Sequence, residues 1–206
     1  MHKFFSAPGK KKLADKPIII VSGLPRSGTS MMMKMLNAGG LQIVSDEIRR
    51  ADDDNPNGYF ELEAVKQLAQ GNFMWLQSAN GKVVKVISSL LEYLPSQYSY
   101  KVIFMEREIR EILASQQKML ANRNEVNRAA DAEMELQFRN HIAVVKAWLV
   151  RQENIEVLYV NYNSLIADPK PLCKRISDFI GIPLNMDQML SVPTEKLYRN
   201  RTVTEQ

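Results

Sequence analysis

Apolar and polar positions follow two rhythms along this chain. Four stretches are short, nearly continuous runs of β-branched and aliphatic residues: "PIIIVSG" (17–23), "KVVKVI" (82–87), "KVIFME" (101–106) and "IEVLYV" (155–160). Runs of that length, bounded by polar or turn residues, predict strands buried on both faces. "LQIV" (41–44) predicts a further short strand. Between them the spacing changes to that of helices. Met31, Met32, Met35 and Leu36 mark a helix over 28–38 that Gly39 and Gly40 stop. Leu62, Val65 and Leu68 predict one over 60–70, and Ile109, Ile112, Leu113, Met119 and Leu120 one over 108–122. Met134, Phe138, Ile142, Val145, Trp148 and Leu149 mark a longer one. The last is punctuated at both ends: Asp168 as cap, Pro169 in the first turn, Leu172, Ile176, Phe179 and Ile180 on the apolar face, Gly181 as terminator. Strands alternating with helices predict an α/β fold, a central parallel sheet of about five strands with helices on both faces.

Composition changes this picture little. The 206 residues suit one domain, taken as 17–206 behind a basic tail over 1–16 that carries Lys10, Lys11 and Lys12. A hydrophobic share of 45% with 24% charged residues is that of a soluble protein, and no apolar run is long enough to span a membrane. The net charge of +4 favours an anionic ligand without requiring nucleic acid. A single cysteine, Cys173, excludes an intrachain disulfide and suggests the cytoplasm. It lies on an apolar helical face and reads as core, as do the methionines. Asp52, Asp53 and Asp54 lack calcium-loop spacing, and no metal site is expected.

Chemistry concentrates after the first strand. In "VSGLPRSGTS" (21–30), Gly23 and Gly28 stand as in a phosphate-binding loop, with Ser30 at the hydroxyl position. Thr29 occupies the place where such a loop carries lysine. A turn of this kind directs backbone N–H groups of roughly residues 26–30, with the helix dipole, at one spot. Arg26 adds a guanidinium, and Ser27, Thr29 and Ser30 add hydroxyls. Without the lysine the loop suits a 5′-phosphate bearing a transferable anionic group rather than a triphosphate.

"GLPRSGTS" resembles the 5′-phosphosulfate loop of the sulfotransferases, P-loop proteins that use 3′-phosphoadenosine-5′-phosphosulfate (PAPS) and release the bisphosphate PAP. Two more stretches carry the likeness, which runs from about residue 17 to 184. In "KVIFMEREIREILAS" (101–115), Arg107 and Ser115 have the separation of the family's arginine and serine that grip the 3′-phosphate, although Glu108 and Ile109 replace the usual Asp-Pro or Asn-Pro. "VLYVNYNSLIADPKPLCKRISDFIGIPL" (157–184) is similar to the family's strand, tyrosine and Asp-Pro helix. The resemblance puts Tyr162 near the adenine, with Asn163 and Ser164 in place of an acidic pair. It also implies that Arg199 and Arg201, in "LYRNRT", close over the nucleotide.

The resemblance implies metal-independent, in-line transfer of a sulfuryl group to a hydroxyl or amine, on a small-molecule or carbohydrate-type acceptor, with Arg26, Lys85 and the loop amides sharing the charge. The base is the departure. Cytosolic members carry a histidine where "VVKVISSLLEYLP" (83–95) has Ile87. Other branches use a glutamate, and "NPNGYFELE" (55–63) resembles the corresponding segment, making Glu61 the first candidate and Glu63 the second. In a first helical turn such a carboxylate is a weakened base. His141 reads as a packed or surface histidine and His2 as part of the tail. Two other functions stay open: a P-loop kinase of a small metabolite, and a nucleotide-binding module without catalysis. The short chain further suggests an open acceptor pocket, or one completed in a homodimer.

Overall fold

The computed structural model describes residues 16–46, 48, 58–122 and 131–193. Its centre is a five-stranded, all-parallel sheet of β1 (Ile18–Gly23), β2 (Ile43–Val44), β3 (Val83–Lys85), β4 (Tyr100–Glu106) and β5 (Ile155–Asn161), in the order β2-β3-β1-β4-β5. The helices are α1 (Thr29–Ala38), α2 (Ile109–Asn122), α3 (Asp131–Leu149), α4 (Tyr162–Ala167), α5 (Pro169–Ile180) and α6 (Met186–Leu190).

The pleat explains why the strand sequences are apolar throughout. Successive residues face opposite sides, so a strand covered on both faces has no polar side to show. In β1, Ile19 and Val21 join one core with Ile103 of β4, the α1 methionines and Cys173 and Ile176 of α5. Ile18 and Ile20 join the other, with Val102 and Phe104, Leu68, Leu76, Leu91 and Leu149. Burial at Cys173 pushes its thiol pKa up to about 11.

Three expectations are corrected. The helix over 60–70 is a 3₁₀ segment, Glu63–Gln70, that begins after Leu62. Leu62, Val65 and Leu68 recur every third residue, which is the period of a 3₁₀ turn, and Val65 and Leu68 are the buried pair. The strand expected over 82–87 stops at Lys85, because the chain turns at Ile87 into another 3₁₀ segment, Ser88–Tyr93. Asp168 precedes α5 without capping it through its side chain, leaving Pro169 and the left-handed Gly181 (φ 82°) as the working signals. The 3₁₀ segment Met74–Ala79 and helix α4 have no counterpart in the sequence reading. Among the described residues no helix is long and apolar enough to cross a membrane.

The strand order decides where a ligand can sit. β1 leads to β2 and β3 on one side, and the chain then returns across it to β4 and β5. The connections therefore diverge at the carboxyl end of β1, which opens a crevice there. The loop 24–28 follows β1 into that crevice, with the end of β3 on one side and the end of β4 on the other.

Candidate active site

The loop is built by backbone conformations that only some residues tolerate. Gly23 (φ 145°) and Gly28 (φ 99°) both take positive φ, and so does Arg26 (φ 70°), unusual for a residue with a side chain. Space is as tight as conformation. A Cβ on Gly23 would stand 2.6 Å from Ser27 Oγ and 2.7 Å from the Met105 carbonyl oxygen, while one on Gly28 would collide with the Tyr162 ring. Ser27 N–H donates to the Leu24 carbonyl (3.2 Å), which closes the turn and takes this amide out of the expected nest. The cradle is thus the start of α1, where the first amides lack intrahelical acceptors. Ser27 Oγ is fully buried and has no hydrogen-bond partner among the described residues; Ser22 Oγ, at the end of β1, shares that condition.

On the β3 side stands Lys85, 9% exposed in its side chain. Its Nζ donates to Ser30 Oγ (3.1 Å) at the start of α1 and to the Tyr59 carbonyl oxygen (2.9 Å). Glu61 Oε1 lies 4.0 Å from the same Nζ. Phe60, between those partners, has φ 50°, a conformation costing a bulky residue about 1–3 kcal/mol. The surroundings sustain it: Asp46 N–H donates to the Glu61 carbonyl (3.2 Å), and Asp46 Oδ2 accepts from Glu63 N–H (2.5 Å). Glu61 precedes the 3₁₀ segment, so it does not hold the first-turn position expected of it. Glu63 takes another direction, paired with Lys66 at 2.7 Å and exposed.

On the β4 side Arg107 and Ser115 converge on the loop, though through contacts the motif alone does not show. Arg26 Nε donates to Ser115 Oγ (2.9 Å), and Arg107 Nη1 donates to the Arg26 carbonyl oxygen (3.2 Å). The Arg26 guanidinium therefore lies toward this side. Arg107 is itself held: its Nε donates to Glu111 Oε2 at 2.9 Å, and its Cζ is 4.4 Å from the Tyr162 ring centroid. Tyr162 is buried between Gly28 and Arg107, so it serves here as a wedge holding the two apart.

Glu111 was missed in the sequence. It is 1% exposed, and its Oε1 accepts from Asn163 Nδ2 at 3.0 Å. The available signal was its position four residues beyond Arg107, at the opening of α2, where an acid and a base share a helix face. His141 is partly buried and its Nε2 lies 2.8 Å from the Oγ of buried Ser88, while the neighbouring Ile87 is 41% exposed. Arg199 and Arg201 fall outside the described residues.

A strand-loop-helix cradle without its lysine, flanked by one lysine and one arginine from the adjacent strands, meets a direct comparison. The family model described as "Sulfotransferase domain" matches residues 16–201. The chain belongs to the sulfotransferase domain family. Solved sulfotransferases share its fold. Sulfotransferase STF1 from Mycobacterium tuberculosis superposes with a TM-score of 0.58 at 18% identity, covering 87% of this chain and 72% of that one. Mouse sulfotransferase SULT7A1, complexed with PAP, gives 0.55 at 17%, covering 92% and 67%. The sulfotransferase domain of the Synechococcus PCC 7002 olefin synthase gives 0.52 at 15%, covering 97% and 88%. No curated protein matches the chain in sequence. Family membership sets sulfuryl transfer as the general activity.

Proposed function

We propose that the chain transfers a sulfuryl group from PAPS to a hydroxyl or amine of an acceptor, in line and without a metal. The observation that carries this reading is the placement of Lys85 and Arg107 on opposite sides of a cradle whose own lysine is absent. A bisphosphorylated nucleotide presents two anionic centres, and two separated cations answer them better than one P-loop lysine would. The cradle also fits a phosphate in detail. The buried Ser27 hydroxyl has no partner among the described residues, an omission costing about 1–3 kcal/mol that a bound oxygen would offset.

PAPS, when bound, supplies an activated sulfuryl group and a bisphosphate leaving group. The amides opening α1 hold the 5′ end, and Lys85, reaching across to Ser30, neutralises charge that builds there. Arg107 and Ser115 take the 3′-phosphate, Ser115 by exchanging its bond from Arg26 for one to the ligand. Glu61, beside Lys85, takes the proton of the acceptor's hydroxyl, and its exposed flank faces the solvent from which an acceptor arrives.

The test has two arms. PAP without added metal should raise the melting temperature, the stabilisation reaching about 2.7 kcal/mol at a hundredfold excess over Kd, whereas ATP with magnesium should do so far less. Labelled PAPS should then pass its label to members of an acceptor panel. Stabilisation by magnesium-ATP alone would replace this reading with a kinase; PAP binding with no transfer to any acceptor would leave a binding module.

A further inference from the structure

Glu111 has no place in the chemistry above, yet it is the most deeply buried of the ion-paired side chains around the crevice. A carboxylate loses several kcal/mol of hydration on such burial, so it persists only where its partners compensate. Its two oxygens divide the work: Oε2 accepts from Arg107 Nε, Oε1 from Asn163 Nδ2. Those partners come from different elements, Arg107 from the end of β4 and Asn163 from the first turn of α4. Glu111 therefore ties the arginine to the helix that also carries Tyr162.

A guanidinium is a planar fork, and its value to a phosphate depends on which edge it presents. Here the Nε edge is engaged by Glu111, Nη1 reaches the Arg26 carbonyl, and one face rests on the Tyr162 ring. These contacts fix the plane, the rotation within it and the side on which it lies. Such an arrangement is wasteful for an arginine that only neutralises a carboxylate, because the ion pair needs neither the carbonyl nor the ring. It is what an arginine needs if it must meet a ligand without reorganising.

We infer that Glu111 is a positioning residue for the 3′-phosphate of the donor nucleotide: braced by Asn163, it holds Arg107 in the orientation that recognises that phosphate. The inference deepens the donor reading above and rests on it. It concerns the 3′ end of the nucleotide, which that reading gives to Arg107 and Ser115.

Binding of PAP and of adenosine 5′-phosphate, which lacks the 3′-phosphate, separates the two ideas. The wild-type chain prefers PAP. In Glu111→Ala that preference falls by about tenfold or more, through lost affinity for PAP, while affinity for adenosine 5′-phosphate stays within about twofold. Glu111→Gln keeps an oxygen toward Arg107 and recovers most of the preference. Asn163→Ala, which removes only the brace, loses about threefold and carries the test if Glu111→Ala does not fold. A merely structural role would weaken both nucleotides together. A preference for PAP unchanged or increased in both Glu111→Ala and Asn163→Ala would overturn the inference and leave the donor reading intact. A wild-type chain that does not prefer PAP would overturn both.

Discussion

The two flanks of the crevice hold their cations by different means. Lys85 is a point charge aimed by neutral oxygens, the Ser30 hydroxyl and the Tyr59 carbonyl, with Glu61 no closer than 4.0 Å. Arg107 is clamped by a buried carboxylate at 2.9 Å, a carbonyl and an aromatic ring. An ammonium with three rotatable donors can follow charge as it shifts during a reaction, whereas a fork fixed in three directions can only recognise a group of fixed shape. Under the proposed function, this contrast would give transition-state work to the β3 side and ground-state binding to the β4 side.

That division breaks first, and with the largest effect, at Lys85. Lys85→Ala should lower kcat by about 10²–10³, the loss typical of a preorganised donor, with PAP affinity changed much less; a deficit confined to KM would erase the contrast. Glu61→Gln, which keeps the shape and removes the base, should reduce kcat by about 10², measured at saturating PAPS. An unchanged rate would move the base elsewhere, the Ser88–His141 pair being next to examine. On the other side, Arg107→Ala should weaken PAP binding by about 1.5–3 kcal/mol in calorimetry. It should also destabilise the fold by about 3–5 kcal/mol, because Glu111 would lose its buried counter-charge. The smallest effect on activity is expected at Cys173, in the core beneath the sheet. Cys173 stays neutral in the fold until about pH 11, whereas an exposed thiol ionises near its ordinary 9.0. Its contribution to stability is therefore full below pH 9 and lost as pH rises toward 11, a loss that urea melts of the wild type and Cys173→Ala can compare. At pH 8 Ellman's reagent should leave it untouched in the folded chain.

How far each flank could be foreseen follows from the same difference. The sheet was legible because strands buried on both faces must be apolar throughout, and the loop because its glycines answer to backbone geometry within a few residues. Lys85 came from the resemblance, which puts the family's strand-end lysine at this position. The clamp on Arg107 was not legible in full. Arg26 meets Ser115 across 89 residues, and Asn163 meets Glu111 across 52, so topology rather than local spacing makes those pairs. Nothing local marks position 111 on its amphipathic helix, and only its burial against Arg107 and Asn163 sets it apart. The segment over 58–63 hid for a second reason. A left-handed Phe60 has no sequence signature, so the approach of the Tyr59 carbonyl and Glu61 to Lys85 emerged only in three dimensions.

The central claim is that one crevice holds both ends of a bisphosphorylated nucleotide. A crystal structure of the chain grown with PAP and a chelator tests it most directly. The account predicts the 5′-phosphate on the amides that open α1, and the 3′-phosphate against Arg107 and Ser115, with the Arg26 side chain withdrawn from the Ser115 hydroxyl. PAP bound elsewhere, or with its 3′-phosphate in solvent while Arg26 still donates to Ser115, would contradict it.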